Sequence, residues 1–283
     1  MPSKTPPRVA VSILNWNAFA ETAQSLDALR RLSTADVSVF VVDNGSTDGS
    51  PMRLKARFPE VEFIDLPDNI GFGAANNVVL RRAREHGIPF VWLLNNDAVP
   101  KPDALDAMLK RMQELPRAGA VGSLIRAAEP PHRVQAWGGG TVNTWLAMVR
   151  HAVTPQTPID FLTGASLLLR MQALEETGFF DEAFFLYWED TDLCCRLKDA
   201  GWILAVADGT VFHQGSATTG RFPRQRAYQS ARSFVLFLRK HESFPFLKSL
   251  TAITFQSALK LFTGKGAAAL GFWQGWASAR TKK

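Results

Sequence analysis

VAVSILN, residues 9–15, is a short run of β-branched and apolar residues that ends in a polar one, and VSVFVV, residues 37–42, repeats the pattern. A helical stretch is predicted between them, from about Glu21 to Leu32. Two strands joined by a helix form a β-α-β unit, whose strands run parallel. Because this unit comes first in the chain, the sequence predicts an α/β fold.

The alternation of strands and helices continues to about residue 125. Further strands are predicted at 61–66, 90–94 and 121–125, and helices at 76–86 and 104–114. This order predicts a doubly wound, mostly parallel sheet, in which ligands bind beyond the carboxyl ends of the strands. Polar residues that follow the strands are therefore candidates for a binding site. They are Asn15-Trp16-Asn17, Asp43-Asn44-Gly45-Ser46, Asp68-Asn69 and Asn95-Asn96-Asp97.

The pattern changes after residue 125. Residues 126–160 mix Pro, Gly, Trp and Thr, which is typical of loops with short strands. A strand interrupted by Gly164 is predicted at 161–170, a helix from Leu193 to Ala200, and another strand from Ile203 to Phe212. The second half of the chain therefore extends the first sheet with less regular structure.

Composition limits the partners that the chain suits. With 283 residues and a 46% apolar fraction, it can bury a sizeable core. Its formal charge of +6 and pI near 9.5 favour anionic partners such as nucleotide diphosphates or an acidic membrane surface. Nucleic acid is not expected, because the sequence has no zinc-finger spacing, RNA-binding aromatic signature or long basic run.

The ends of the chain and its cysteines predict a cytoplasmic protein. Residues 1–8 are rich in Pro and Lys, and the apolar run that follows is too short for a secretory signal core. Cys194 and Cys195 are adjacent, so they cannot easily bridge to each other, and no other cysteine is present. We expect both to be reduced packing residues.

A helix predicted at about 246–262 has two interpretations. Its apolar residues leave a polar sector around Ser249, Gln256 and Lys260. Together with nearby Trp residues and the cationic ending Arg280 to Lys283, this helix suits the interface of an anionic membrane. Packing on the second half of the chain, or across a dimer, would hide the same apolar side. A spanning helix is not expected, because no uninterrupted apolar run reaches about 18 residues.

Three carboxylates, Glu189, Asp190 and Asp192, directly precede the helix predicted from Leu193 and directly follow the aromatic run 184–188. The positive end of the helix dipole favours the ionised form of a carboxylate, so Asp190 would be a ready proton acceptor. A base beside an aromatic wall suggests a sugar pocket. The alternative is that Asp190 or Thr191 only caps the helix.

Two further features suggest phosphate and metal chemistry. GFGAAN, residues 71–76, follows a strand and opens a helix, but Asn76 replaces the third small residue of the dinucleotide-binding pattern. The loop either presents backbone N–H groups to phosphate or only makes a tight turn.

Asp97 follows an apolar strand, where a divalent cation can share it with substrate phosphates. His213 also follows a strand, where a lone His is more often structural.

Together these features resemble the family-2 glycosyltransferases of GT-A fold, especially bacterial rhamnosyltransferase-like enzymes of cell-surface polysaccharide synthesis. The resemblance runs from Val9 to about Lys240. Its motifs are VSILNWN (11–17), VVDNGSTDGS (41–50), NIGFGAANN (69–77), LLNND (93–97), TGA (163–165), FDE (180–182) and EDTDL (189–193).

The resemblance implies three segments: a nucleotide-sugar-binding half (1–125), an acceptor-binding and catalytic half (126–240) and a C-terminal amphipathic helical extension (241–283). It implies Asp190 as the catalytic base. It places Gly164, Trp188 and Glu189 on the acceptor side, with Trp188 stacked on a sugar face. The implied donor site, in which Asp43 contacts a pyrimidine, consists of Asn15, Asn17, Asp43, Asn69, Gly71, Asn76 and Asp97.

The family's metal motif is incomplete in this chain. By the resemblance, Asp97 and His213 would hold Mg²⁺ or Mn²⁺. Asn95 replaces the first acid of the Asp-x-Asp pattern, which leaves the metal preference open.

The implied reaction is a single inverting displacement on dTDP-rhamnose or a UDP-sugar by a hydroxyl of a glycan or lipid-linked acceptor. It would occur in the cytoplasm or at the inner face of the membrane. Related processive synthases carry Gln-x-x-Arg-Trp and several spanning helices, whereas Gln229 to Arg232 is followed here by Ser233. Single-sugar transfer is therefore preferred. The alternatives are an NAD-dependent oxidoreductase built on the Gly71 loop and a non-catalytic nucleotide- or glycan-binding module. The oligomeric state is left open.

Overall fold

The computed structural model describes residues 8–33, 36–215 and 223–281. The Pro- and Lys-rich start before Arg8, and Lys282 and Lys283 of the cationic ending, lie outside the described residues. Nine strands form a central sheet: β1 (Val9–Asn15), β2 (Val37–Asn44), β3 (Glu62–Leu66), β4 (Phe90–Leu94), β5 (Ala98–Pro100), β6 (Ala118–Ala127), β7 (Val134–Trp137), β11 (Ser166–Arg170) and β12 (Ile203–His213). A small antiparallel sheet contains β8 (Gly139–Asn143), β9 (Met148–His151) and β10 (Phe161–Leu162).

The central sheet is mostly parallel in its first half and mixed in its second. Its order is β3-β2-β1-β4-β11-β6-β12-β5, with β7 paired to β6. The first four strands in this order are parallel, as the β-α-β pattern predicts. β11 then lies antiparallel between β4 and β6, an insertion that the sequence did not predict. The expected α/β fold class is confirmed.

Helices cover both faces of the sheet because alternate strand residues point to opposite sides. In β1, Val9, Val11 and Ile13 enter one core, while Ala10 enters the other. The first core includes residues of α1 (Phe19–Leu29), α2 (Ser50–Arg57) and α4 (Ala104–Glu114). The second includes residues of α3 (Phe72–Glu85), α5 (Met171–Thr177) and α6 (Glu189–Asp199).

Three helices form the C-terminal part: α7 (Pro223–His241), α8 (Pro245–Phe262) and α9 (Gly266–Thr281). α7 and α9 approach closely, since a Cβ atom on Gly275 would lie 2.1 Å from the carbonyl oxygen of Tyr228. α8 buries the polar sector around Ser249 and Gln256, which are 2% and 9% exposed. The apolar side is therefore not the side that packs on the second half of the described chain, and the membrane and dimer alternatives stay predictions.

The sequence also made predictions about membrane-spanning helices, cysteine pairing and the division of the chain into segments. In the described part of the chain, no helix combines the length and the apolarity that a bilayer crossing requires. Cys194 and Cys195 are unpaired, and burial raises the pKa of the Cys195 thiol to about 11, which keeps it protonated. The division of the chain at residues 125 and 240 stays a prediction.

Candidate active site

A cavity of about 590 Å³ opens between the carboxyl ends of β1 and β4, the start of α6 and the start of α7. This volume is within the range of small-molecule sites. Eight of the residues that the sequence predicted for the site line its wall: Asn69, Gly71, Asn76, Asp97, Gly164, Glu189, Asp190 and His213. Four others, Asn15, Asn17, Asp43 and Trp188, are not part of the wall.

Asp190 reaches the cavity from the first turn of α6. This helix begins at Glu189, four residues earlier than the sequence predicted, and Trp188 precedes it in a left-handed conformation with φ of 70°. Neither Asp190 nor Thr191 is therefore its N-cap. The Gly164 N–H donates to Oδ2 of Asp190 at 3.1 Å, and the Thr191 N–H donates to Oδ1 at 2.7 Å. These two bonds hold the carboxyl group in a fixed orientation.

Burial raises the pKa of Asp190 above its ordinary value. Hydrogen bonds from Gly164 and Thr191 and the charge of His151 act in the opposite direction, but they do not cancel the effect of burial. A carboxylate with a raised pKa is a stronger base once it is ionised. Asp190 is therefore suited to accept a proton inside the cavity.

Glu189, next to Asp190, is in a different environment. It is 5% exposed, and its Oε2 has no hydrogen-bond partner among the described residues. Burial and the nearby charge of Asp190 raise its pKa well above the ordinary value. These surroundings favour the protonated form of Glu189, which could donate one hydrogen bond at the cavity wall.

Asp97 and His213 meet at another part of the wall. Oδ1 of Asp97 and Nε2 of His213 are 3.1 Å apart, and the amide nitrogen of Asn95 lies 3.3 Å from the same His nitrogen. The Nδ1 atom of His213 contacts Oε1 of Gln135 at 3.1 Å, which orients the ring. A carboxylate and an imidazole that converge in this way fit a divalent cation whose remaining ligands are water and substrate phosphate.

Three or more Asp, Glu, His or Cys side chains do not converge anywhere among residues 8–33, 36–215 and 223–281. The Asp97–His213 pair alone is therefore weak as a metal site. A cation there would depend on a bound diphosphate for much of its coordination.

Asn15 and Asp43 lie under the cavity wall at the ends of β1 and β2. The Asn15 amide donates to Oδ1 of Asp43 at 2.7 Å and to the Ser50 hydroxyl at 2.9 Å. The backbone N–H of Ser46 donates to Oδ2 of Asp43 at 2.9 Å. Asn17 also holds this loop, because its Oδ1 accepts a hydrogen bond from the Thr47 N–H at 2.8 Å. These contacts fix the loop at residues 43–50, and a contact of Asp43 with a nucleotide base stays a prediction.

The first two backbone N–H groups of the Gly71 loop are engaged within the protein. The Gly71 N–H donates to Oδ1 of Asn69 at 3.0 Å, and the Phe72 N–H donates to the carbonyl oxygen of Phe185 at 2.9 Å. A Cβ atom on Gly71 would lie 2.3 Å from that same oxygen, so glycine is required for close packing. Because both N–H groups have partners, the phosphate cradle expected of a dinucleotide-binding loop is not formed by them. This observation counts against the oxidoreductase alternative.

Trp188 is buried in the C-terminal part of the protein. It is 6% exposed, and its ring centroid lies 4.8 Å from that of Phe234 and 5.0 Å from that of Phe237. The predicted stacking of Trp188 on a sugar face is therefore wrong for this structure. Phe185 and Tyr187, from the same aromatic run, line the cavity instead.

Sequence reasoning missed the contribution of α7 to the site. Gln225, Arg226 and Gln229 line the cavity, and Oε1 of Gln229 is buried with no hydrogen-bond partner among the described residues. The only available signal was the partial match of Gln229 and Arg232 to the Gln-x-x-Arg-Trp motif. His151, whose charge partly opposes the rise in the pKa of Asp190, carried no signal at all.

Solved structures share this fold. One is a mannosyltransferase from Pyrobaculum calidifontis in complex with GDP-Man and Mn²⁺, with a TM-score of 0.59, 19% identity, and coverage of 98% of this chain and 76% of that one. Another is S. aureus TarS (1–349) in complex with UDP, with a TM-score of 0.57, 18% identity, and coverage of 90% and 72%. At these identities the likeness shows the fold alone, which is the GT-A fold.

Sequence comparison is more specific. Residues 10–178 match the family model for glycosyl transferase family 2. The chain is 33% identical over 244 residues to N-acetylglucosaminyl-diphospho-decaprenol L-rhamnosyltransferase of Mycobacterium tuberculosis, covering 77% of this chain and 80% of the relative. It is 25% identical over 146 residues to rhamnosyltransferase WbbL of Escherichia coli, covering 46% and 55%. The chain therefore belongs to glycosyl transferase family 2 and is a glycosyltransferase.

Proposed function

We propose that the protein transfers one sugar, with inversion, from a nucleotide diphosphate donor to a lipid-linked saccharide during cell-surface glycan synthesis. Rhamnose carried by dTDP is the preferred donor, and a UDP-sugar is the alternative. The names of the relatives from M. tuberculosis and E. coli support the sugar, and the first also supports a sugar-diphospho-lipid acceptor. A lipid-linked acceptor would bring the protein, from the cytoplasm, to the inner face of a membrane.

The position of Asp190 carries this proposal. Its carboxyl group lines the cavity and is held by N–H groups of Gly164 and Thr191. In the proposed step, Asp190 accepts the proton of an acceptor hydroxyl while that oxygen forms a bond to the anomeric carbon and the nucleotide diphosphate leaves. A single displacement of this kind inverts the anomeric configuration. The family model ends at residue 178, so the assignment of Asp190 depends on its geometry.

The other wall residues are assigned by position. Asn69, Gly71, Asn76 and Asp97 would lie along the donor, with Asn15, Asn17 and Asp43 shaping the loop behind it. Glu189 and Gly164 would face the acceptor, and a neutral Glu189 would donate a hydrogen bond to it. When bound by Asp97 and His213, Mg²⁺ or Mn²⁺ would neutralise negative charge on the leaving diphosphate. The Mn²⁺ present with the solved mannosyltransferase supports a divalent ion.

The test is turnover of the purified protein with candidate donors and a lipid-linked saccharide. We expect acceptor-dependent release of the nucleoside diphosphate, and a product whose anomeric configuration, read by NMR, is opposite to that of the donor. Asp190→Asn should lower kcat by about 10²- to 10⁴-fold, since a positioned base typically contributes that much. Asp199→Asn, at the exposed end of the same helix, is the matched control and should keep its activity. Full turnover by a natively folded Asp190→Asn would contradict the assignment.

A further inference from the structure

α8 lies on the protein with its polar side inward. Its buried residues are Ser249, Ala252, Ile253, Gln256 and Ser257. Gln256 donates to the carbonyl oxygen of Leu146 at 2.9 Å, and the Trp276 indole N–H donates to the Ser249 hydroxyl at 3.0 Å. These bonds fix the rotation of α8, because turning the helix over would leave the polar groups without partners.

The opposite side of α8 is apolar and exposed. We call this side the outer face, defined as Leu247, Phe255, Leu259, Leu261 and Phe262, which are 49%, 40%, 42%, 62% and 91% exposed. The two charged residues of the helix, Lys248 and Lys260, are both partly buried. Contiguous apolar surface of this kind is characteristic of a docking site.

The surface continues beyond α8 onto the turn between β8 and β9. The Thr251 hydroxyl donates to the carbonyl oxygen of Trp145 at 3.3 Å, and Nζ of Lys248 lies 5.4 Å from the Trp145 ring centroid. Trp145, Met148 and Val149 are 47%, 44% and 41% exposed. Trp is the side chain that most favours the boundary between water and a bilayer. The patch therefore spans two elements that hydrogen bonds hold together.

The net charge of the chain is concentrated in the same part of the sequence. Residues 243–283 contain six Lys and Arg and no Asp or Glu. Because the chain has 32 basic and 26 acidic residues, the residues before 243 balance at 26 of each. The whole formal charge of +6 therefore belongs to the segment that carries the outer face.

We propose that the outer face of α8, together with the turn at 144–149, docks on the surface of an anionic lipid bilayer. The apolar side chains would enter the headgroup region, and the Lys and Arg residues of the 243–283 segment would attract anionic lipids. A second copy of the chain is the other occupant that suits apolar surface. A second copy is less suited here, because pairing would bring together two segments that each have a formal charge of +6.

Docking in this way would place the cavity near the bilayer. β9, which carries Met148 and Val149 of the patch, pairs with β8, and β8 pairs with β10. β10 ends at Leu162, two residues before Gly164, whose N–H donates to Asp190. This link explains how an acceptor held in a membrane would reach the site, but lipid binding itself does not depend on the proposed reaction.

Vesicle flotation of the full chain tests the inference. We expect binding to vesicles of phosphatidylcholine with phosphatidylglycerol, weak binding to phosphatidylcholine alone, and loss of binding as ionic strength rises. Leu261→Gln with Phe262→Gln should weaken partitioning by roughly 100-fold, because two inserted side chains are lost. Lys260→Gln with Lys265→Gln should weaken it by about 30-fold at low salt. Met52→Gln, at a 74% exposed residue of α2, is the matched control and should change nothing.

Two results would overturn the inference. One is equal flotation of the wild-type protein and the Leu261/Phe262 variant, both with native circular dichroism. The other is a wild-type dimer in light scattering that dissociates in this variant while no form binds vesicles, which would assign the face to a second copy. Turnover on a water-soluble acceptor separates this inference from the proposed function, since docking variants should keep it and Asp190→Asn should not.

Discussion

Three carboxylates in the first turn of α6 lie in different surroundings, which shift their pKa values to different extents and in different directions. Asp190 faces the cavity and is held by two backbone N–H groups. Glu189 is buried, and its Oε2 has no hydrogen-bond partner in the described part of the chain, which favours its protonated form. Burial also acts to raise the pKa of Asp192, but hydrogen bonds from Lys240 and His241 outweigh it and lower the net value. The surroundings thus place Asp190 where it can contact a ligand, favour the protonated form of Glu189 and favour the ionised form of Asp192.

Glu189→Gln should stabilise the protein at high pH. The pKa of Glu189 is raised by folding, so its stability contribution is fully present below the unfolded pKa and is lost as pH rises through the folded value. Removing the ionisable group removes this loss. We expect the Tm to rise by about 2–4 °C at pH 8, the shift that about 1 kcal/mol produces in a domain of this size, and to change little at pH 4.

Glu182→Gln is the control of opposite sign. Hydrogen bonds from Asn77 and Arg81 lower the pKa of Glu182, so its charge stabilises the fold above the unfolded pKa. In thermal melts at pH 8, Glu182→Gln should therefore have a Tm that is equal to that of the wild type or lower. An increase in Tm for Glu189→Gln that is equal at pH 4 and pH 8 would refute the assignment of Glu189 as a buried neutral acid.

At the scale of elements, a buried ion cluster joins α6 to α7. Asp192 is fully buried, and it contacts Arg196 at 2.9 Å, Lys240 at 2.8 Å and His241 at 2.8 Å. Arg196 also donates to carbonyl oxygens at residues 177–179, which fixes the loop before the cavity. Since α6 carries Asp190 and α7 carries Gln229, this cluster positions opposite walls of the site.

Asp192→Asn should lower the free energy of unfolding by about 2–3 kcal/mol, because charged hydrogen bonds are lost and the Arg196 charge is left poorly compensated. The pKa of Asp192 is lowered, so its stabilisation is present above the unfolded pKa and is lost as pH falls through the folded one. Urea unfolding at pH 7 and in acid measures both effects. Equal stabilities at pH 7, with Asp199→Asn as the exposed control, would show that the cluster contributes nothing.

At residue 275, close packing of two helices favours glycine, whereas helix propensity favours alanine. Gly275→Ala should lower the free energy of unfolding by about 1–3 kcal/mol, as overpacking does, although Ala is the better helix former. The added Cβ would lie 2.1 Å from the Tyr228 carbonyl oxygen and force α9 away from α7. Gly266→Ala, in the same helix, should be neutral or stabilising, because its added Cβ would have no described neighbour within 4 Å outside its own helix turn. Denaturant midpoints compare the two, and equal effects would disprove the tight contact.

These contacts explain which elements the sequence could predict. β1, β4 and α4 were predicted with the bounds that the structure shows, because each has a continuous or periodic apolar pattern. α2, α5 and α7 were not predicted as helices, and α9 lies in the predicted helical extension without predicted bounds of its own. α7 buries small residues such as Ala227 and Ala231, and α9 contains glycines that disfavour an isolated helix. α7 and α9 are stabilised by their contact with each other, and no local sequence pattern indicates such a contact.

The site shows the same limit. Polar residues at strand ends were predictable, because the carboxyl ends of parallel strands share one edge. The sequence could not show that Trp188 turns into the core while Tyr187 faces the cavity, since this depends on two consecutive positive φ angles, 68° and 70°. Nor could it place α7 at the wall, because that requires the packing of α7 on α6.

On the scale of the whole molecule, the cavity is bounded by the sheet edge on one side and by α6 and α7 on the other. Asp97 and His213, which face each other in it, come from positions after β4 and at the end of β12. A ligand that contacts both would therefore join distant parts of the chain. Any such ligand stabilises the folded state by mass action.

His213→Gln should separate metal-dependent from metal-independent donor binding. For wild type with Mn²⁺, a nucleoside diphosphate at about 100 times its Kd adds about 2.7 kcal/mol and should raise the Tm by roughly 5–10 °C. Removing the imidazole leaves only Asp97 and the diphosphate for the ion, so the part of this shift that requires Mn²⁺ should be lost and the metal-free part kept. His86→Gln, at the exposed end of α3, should behave as wild type. An unchanged dependence on Mn²⁺ in the His213 variant would place the ion elsewhere, because it would show that the pair at 3.1 Å is only structural.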